Sequence, residues 1–303
     1  MGGAVCSLGK HKNKGFRMSI HDKKSHLTWA RRAAMAIVGA AIVVSTASAS
    51  QAACELTGKK GSDPFKPAVA GTLTVETSLP SPGWWNGDTP DTIKDGYEYC
   101  LAANIANRAG LDGVTVVNVA FDALVAGRTK DFDLALSSIS VTDARKKVVD
   151  FSAPYFNSDI GVVVKKGTTY SSDTVKDLRI GVKQASTGAS FADKNLHPAA
   201  VKVFPDDSSA ITSLVAGQID AFIHDTSIVL GHAANSHGKL EVVGQYHTGE
   251  TYGAIYPKSS PNAATLDKII ADLKNDGTLD KLAKTYLTGV WGADPTAIPY
   301  LQP

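Results

Sequence analysis

Between Thr72 and Leu287 short strand-like stretches alternate with short helix-like ones, and this alternation confines the chain to α/β architectures built on largely parallel sheets. Strands are expected over Thr72 to Thr77, Val114 to Val119, Asp133 to Ile139, Ile160 to Lys165, Leu178 to Lys183, Val201 to Phe204, Ile219 to Ile223, Leu240 to Val243 and Tyr252 to Tyr256. Between them the spacing predicts helices. Tyr97 to Ala109 puts Leu101, Ile105 and Ala109 on one face with Gly110 as the stop. Further helices are expected over Phe121 to Gly127, Asp207 to Ala216, Asn262 to Lys274 and Thr278 to Leu287. A chain of 303 residues that is 43% hydrophobic can bury one large core or two moderate ones.

The third of these strands leads into the most chemistry. In FDLALSSISVTDARKKVVDFSAPYF, from Phe132 to Phe156, alternating Phe132, Leu134 and Leu136 run into a hydroxyl-rich turn of Ser137, Ser138, Ser140 and Thr142, and then reach Arg145. Hydroxyls and backbone N–H groups in such a turn can point at an anion, and a guanidinium fits a carboxylate with two parallel hydrogen bonds. Thr142 followed by Asp143 suits a helix N-cap and first turn, which puts Arg145 near the start of a short helix. Spacing alone leaves the alternative that Arg145 is an ordinary solvated charge.

Three other places carry candidates. The turn QASTGAS, after Leu178 to Lys183, holds Ser186, Thr187 and Gly188, either as donors to an anion at a helix N-terminus or as a plain strand-to-helix turn. Asp225 follows His224 at the end of a strand, where α/β sheets place ligand-binding groups; capping the next helix is the other reading. Trp84 and Trp85 lie in LPSPGWWNGDTPDTIKDG, a loop dense in Pro and Gly, either as a lid over a ligand or packed against the domain.

The first 52 residues hold 8 Lys or Arg and one acid, Asp22, so the rest of the chain has 23 basic and 28 acidic residues and a net charge of −5. A mildly acidic body disfavours a nucleic-acid partner. The leader has the parts of a secretory signal: a basic region ending in Arg31-Arg32, an apolar run from Ala33 to Val44, and small residues from Ser45 to Ala53. Export to the periplasm or beyond is expected. Only Cys54 and Cys100 follow the leader. An oxidising compartment lets them pair, two buried thiols are the alternative, and the place of Cys54 just after the leader also leaves a lipid anchor open.

The sequence has no GxxxxGK followed by Ser or Thr, no GxSxG, no HExxH and no CxxC. Its 8 histidines are scattered, and His232 and His237 are not spaced to share one helical face. No metal or cofactor is expected. Polar clefts without an activated nucleophile favour binding over catalysis.

Taken together, GYEYCLAANIA near Gly96, FDALVAGRTKDFDLALSSISVTDARKKVVDFSAPYF, IGVKQASTG, LVAGQIDAFIHD, GETYGAIYPK and NDGTLDKLAKTYL span nearly all of residues 71 to 290. In this order they resemble the solute-binding proteins of amino-acid ABC importers, the periplasmic binding proteins of the type II arrangement. The resemblance implies two α/β lobes joined by two crossover strands. Lobe 1 is expected over residues 66–158 and 252–303 and lobe 2 over 159–251, after a leader at 1–53 and a linker at 54–65. It also implies that Arg145 grips the ligand α-carboxylate with Ser137, Ser138 and Ser140 from its own turn and Thr187 from lobe 2, while Asp225 receives the α-ammonium.

GYEYCL stands where the family often has GFDxDL, so Cys100 replaces an acid, and Ser78 and Ser81 stand where an acid and an aromatic are often found. Trp84 and Trp85 are expected to supply the aromatic wall instead. The implied function is capture of an amino acid or similar zwitterion by a monomer and its delivery to an ABC membrane permease. The alternative is an exported enzyme on the same scaffold, similar to cyclohexadienyl dehydratase, which needs a carboxyl as general acid. Glu250 is the acid to consider.

Overall fold

The computed structural model describes residues 54–61 and 63–303; the leader read over residues 1–53 lies outside the described residues. In chain order the strands are β1 Thr72–Thr77, β2 Gly113–Asn118, β3 Leu134–Ala135, β4 Asp150–Phe151, β5 Phe156–Lys165, β6 Arg179–Lys183, β7 Ala200–Phe204, β8 Ala221–Asp225, β9 Leu240–Tyr252 and β10 Ile255–Tyr256. The principal helices are α1 Tyr97–Arg108, α2 Phe121–Val125, α3 Asp143–Lys146, α4 Thr187–Asn195, α5 Asp207–Val215, α6 Thr226–Asn235, α7 Ala263–Asn275 and α8 Thr278–Ala283. Among the described residues no helix is long and apolar enough to cross a membrane.

These strands form two five-stranded sheets, ordered β2-β1-β3-β10-β4 and β7-β6-β8-β5-β9, and the fold is two-lobed and mixed α/β. The expected parallel pairing holds within β2-β1-β3 and β7-β6-β8. It gives way beside the crossings between sheets, where β10 is antiparallel to β3 and β4, and β5 is antiparallel to β8 and β9. The chain passes from β4 into β5 and returns from β9 into β10, so the two crossings form one antiparallel ribbon that runs from Phe156 opposite Tyr252 to Lys165 opposite Leu240.

The sequence reads the return crossing as two strands separated by QYHTGE, whereas β9 is one strand of 13 residues. Polar residues do not interrupt it because the ribbon shifts register at Ser158/Ile160, and Asp159 Oδ1 accepts there from Thr248 N at 2.7 Å and Gly249 N at 2.8 Å.

Each sheet is covered on both faces, as the side-chain alternation of a strand requires. Leu73, Val75 and Leu134 pack with Leu101 and Ile105 of α1 and with Leu266, Ile269 and Ile270 of α7. Ala135 faces the other way, toward Phe121 and Leu124 of α2. In the second sheet Val162 and Ile223 look to one side and Val163 and Phe222 to the other.

Cys54 Sγ is bonded to Cys100 Sγ, which ties the segment before β1 to α1 and occupies the thiol that a lipid anchor would need. At the other end, Gln245 N donates to Pro299 O at 2.9 Å and Leu301 N to Gln245 O at 2.7 Å. The last residues therefore lie along β9 of the second sheet. Hydrogen bonding to a crossover strand, which helical and strand periodicity do not foretell, draws them there.

Candidate functional site

A narrow cavity of about 10 Å³ lies between the sheets, lined by Ser78, Ser81, Phe121, Ser137 and Ser138 from the first side and Lys183, Asp207, His224 and Ile228 from the second. The topology explains this convergence. Ser78 follows β1, Ser137 follows β3, Lys183 ends β6 and His224 is the penultimate residue of β8, so the carboxyl ends of parallel strands from both sheets meet at one gap.

Beside this cavity, Arg145 sits in the first turn of α3, where Thr142 Oγ1 accepts from Arg145 N at 3.2 Å as the expected N-cap. Its guanidinium is buried and joins the two sides: one nitrogen donates to Ser140 O at 2.7 Å, the other to Ala185 O at 3.0 Å in the turn after β6. The guanidinium carbon lies 5.5 Å from the Phe121 ring centroid. Burial lowers the Arg145 pKa, and the carboxyls of Asp225 and Glu250 oppose that shift. These couplings bring the two charged ends of the expected clamp, Arg145 and Asp225, to one region.

Glu250, on β9, is held in the same place. Its Oε2 accepts from Ser140 Oγ at 2.5 Å and Thr187 Oγ1 at 2.7 Å, so the hydroxyls of both expected donors converge on one carboxyl. Burial and the neighbouring Asp225 raise its pKa, against the two hydroxyls and Arg145. Asp225 ends β8 fully buried, and its Oδ2 accepts from the Tyr252 hydroxyl at 2.6 Å, which also lies 2.8 Å from Ser227 Oγ. Asp225 thus stays tied to the crossover strand.

Ser137 Oγ accepts from Ser78 N at 3.1 Å, and Ser138, with φ 48°, turns its N–H toward Glu98 Oε1 at 2.7 Å. Glu98 is fully buried and also accepts from Trp85 Nε1 at 2.7 Å and the Tyr155 hydroxyl at 2.5 Å. Burial pushes its pKa up to about 7 in spite of these donors. Trp84 and Trp85 do not form the expected aromatic wall. Trp85 is fixed by Glu98, Trp84 packs edge-on against Tyr97, Phe156 and Tyr252, and neither lines the cavity. The loop folds back in a Ser81 to Trp85 bridge, and a Cβ at Gly96, φ 123°, would collide with the Trp84 carbonyl, so only glycine lets α1 start this close.

The aromatic surface of the gap is Phe121, and the charges that sequence reasoning passed over are Lys183 and Asp207, with His224 beside them. Lys183 Nζ lies 3.1 Å from Asp207 Oδ2 and 4.7 Å from the Phe121 centroid, and His224 Nε2 lies 3.4 Å from Asp207 Oδ1. Burial alone would raise the Asp207 pKa, but Lys183, His224 and His232 hold it down at about 2. Burial likewise works against charge on His224, and Asp207 and Asp225 outweigh it to raise that pKa. The signal was a lysine directly after the apolar run Ile180 to Val182, since a buried cation needs a partner.

The family model for bacterial extracellular solute-binding proteins, family 3, matches residues 77–289. The L-cystine-binding protein of Escherichia coli is 28% identical over 233 residues, covering 75% of this chain and 85% of that protein. The ABC transporter glutamine-binding protein of Bacillus subtilis is 31% identical over 162 residues, 52% of this chain and 58% of that protein. Among solved structures, an ancestral arginine-binding protein bound to glutamine superposes with a TM-score of 0.65 at 30% identity, covering 72% of this chain and 98% of that one.

Proposed function

This chain belongs to the bacterial extracellular solute-binding proteins of family 3, and from that membership we propose that it closes on one α-amino acid between its two sheets and hands it to the permease of an ABC importer. It is an amino-acid solute-binding protein that works outside the cytoplasm, like the periplasmic proteins it matches. It acts as a monomer, with its two sheets moving against one another about the β5/β9 ribbon.

One observation carries this reading: Arg145, from the first side, reaches Ala185 O on the second, and the carboxyls of Asp225 and Glu250 act on its charge. In the ligand-bound state the guanidinium takes the α-carboxylate with Ser140 and Thr187, and Asp225 takes the α-ammonium. A ligand held by both sides favours closure by the contacts it makes only there. Calorimetry with an amino acid, its decarboxylated amine and its deaminated acid tests the clamp. Both analogues should bind at least tenfold more weakly, and equal binding of either one removes the charge it lacks from the mechanism.

We read the chain as a binding protein and not an enzyme. Its matched relatives are named for binding, and Glu250, the acid considered for catalysis, is engaged by two hydroxyls. Turnover of arogenate or prephenate would make it an enzyme.

A further inference from the structure

We propose that the segment from Pro295 to Gln302 braces the crossover ribbon, and that through Gln245 and Thr226 it holds Asp225 where the ligand's ammonium is received. This rests on the reading that Asp225 takes the α-ammonium. The match to the family ends at residue 289, so the brace lies outside the matched region. The chain carries it from one side of the molecule to the other. α8 packs on α1 and α7, the short helix Gly289–Trp291 that follows lies against α6, and beyond Pro295 the backbone runs beside β9.

β9 is an edge of the second sheet, so its outward backbone groups are open to pairing. The segment takes them in a parallel bridge of Gln245 with Tyr300, made by the bonds from Gln245 N to Pro299 O and from Leu301 N to Gln245 O. Gly244 allows the close approach, because a Cβ there would lie 2.5 Å from Leu301 Cδ1. The outgoing crossover strand is held as well. The Tyr300 hydroxyl donates to Asp159 Oδ2 at 2.8 Å, and Asp159 is the residue whose other oxygen secures Thr248 N and Gly249 N at the register shift. Ser172 Oγ donates to Gln302 O further along. One piece of chain thus pins both crossings.

Gln245 passes this hold to the site. It is buried, and both ends of its amide are used: Nε2 donates to Pro295 O at 2.9 Å and Ile298 O at 3.2 Å, and Oε1 accepts from Thr226 Oγ1 at 3.0 Å. Thr226 opens α6 directly after Asp225. β9 therefore holds this corner twice, by the Tyr252 hydroxyl on Asp225 Oδ2 and by Gln245 on Thr226, one on each side of the register shift. Without the segment the Gln245 amide donor loses its partners in a buried place, which is costly, and a side chain that turns to find others no longer fixes Thr226. Asp225 then keeps only Tyr252, while Arg145 keeps Ser140 O and Ala185 O. The damage falls on one end of the ligand, whereas a brace that merely kept the protein folded would weaken both ends alike.

The test is calorimetry on the protein freed of ligand by unfolding and refolding, with the standard amino acids and L-cystine, and then with the deaminated acid of whichever binds most tightly. The same two ligands are measured on a chain ending at Asp294 and on Gln245→Ala, Thr226→Ala and Thr226→Ser. The first three should bind the amino acid at least fivefold more weakly and the deaminated acid within twofold of wild type. Thr226→Ser keeps the hydroxyl and should match wild type on both. If the shortened chain does not fold, Gln245→Ala and the two Thr226 variants decide on the same readout. Equal loss of both ligands, or loss of neither, overturns the brace and leaves the clamp standing. If the wild type binds the amino acid and its deaminated acid alike, or binds no amino acid, Asp225 receives no ammonium and the proposal falls with that reading.

Discussion

Across the gap the two walls are held in different ways. The first-sheet wall presents hydroxyls, backbone groups, the Phe121 ring and one guanidinium, each positioned by neutral neighbours: Ser78 N on Ser137, Thr142 under Arg145, Ser140 O and Ala185 O on the guanidinium. The second-sheet wall presents Lys183, Asp207, His224 and Asp225, which position one another by charge. A wall fixed by neutral hydrogen bonds can lose a ligand-binding group and stay folded, because the vacated partners are carbonyls and hydroxyls that water can satisfy. A wall fixed by buried ion pairs cannot, because each deletion strands a charge. Damage to the second wall should therefore register in folding, and damage to the first in binding.

The largest expected effect breaks the second wall. Lys183→Met leaves Asp207 buried without its cation and should cost about 3–5 kcal/mol of folding stability in urea unfolding. The acid limb should move with it. Asp207 is depressed from 3.8 to about 2, so it contributes stability that is present above pH 3.8 and lost as pH falls through about 2. The variant should lose this advantage. A change under about 1 kcal/mol would mean that the pair is solvated and the contrast between the walls is false.

Next comes the first wall. Arg145→Ala should weaken amino-acid binding by roughly 2–5 kcal/mol, since the ligand carboxylate would be buried unpaired. That is about 30-fold to several-thousand-fold in Kd. Its unfolding midpoint without ligand should move little. Calorimetry and urea unfolding on the same preparation measure both, and a variant that unfolds readily but binds normally would invert the comparison.

The sequence made the first wall readable and hid most of the second, for a physical reason. Ser137, Ser138, Ser140 and Arg145 come from one continuous turn, and local chemistry such as the Thr142 cap is written in adjacent residues. Lys183, Asp207 and His224 come from β6, the start of α5 and β8, and their pairing exists only once β6 and β8 are parallel neighbours. The α/β alternation was legible for the same reason as the turn, because strand and helix periods are local, whereas the division into two lobes came only with the family resemblance. The single strand β9 and the return of the last residues to Gln245 depend on contacts between distant segments. Trp84 and Trp85 misled because a loop dense in Pro and Gly looks exposed, and nothing local announces that Glu98 waits for an indole N–H.

Glu98 sharpens the contrast from the first side, where it is a buried carboxyl without a cation at its oxygens. Its pKa is raised from 4.5 to about 7, so its favourable contribution is fully present below pH 4.5 and is lost as pH rises through about 7. The loss should amount to about 3 kcal/mol. Glu98→Gln should flatten this part of the stability profile. At acid pH it should cost about 1–3 kcal/mol, because a fixed NH₂ cannot accept from Trp85 Nε1, or from Ser138 N and Tyr155 if the amide is turned. An unchanged slope between pH 4.5 and 7 would show that the wild-type carboxyl stays ionised, held by its three donors alone.

The smallest effect separates placing a group from supplying it. Thr142→Ala removes the side-chain acceptor under Arg145 N but leaves the guanidinium and both of its carbonyl partners in place. Loss of an N-cap costs typically about 1 kcal/mol, and α3 is only four residues long, so few other helical bonds resist fraying. If neutral hydrogen bonds hold the first wall, the frayed turn should let Arg145 wander and raise the Kd about fivefold, which is about 1 kcal/mol, while Thr142→Ser, which keeps the acceptor, restores wild-type affinity. A Kd unchanged in the alanine variant would mean that Ser140 O and Ala185 O position the guanidinium unaided. The order on the first wall would then come from contact with the second, and the two walls would not be independently built.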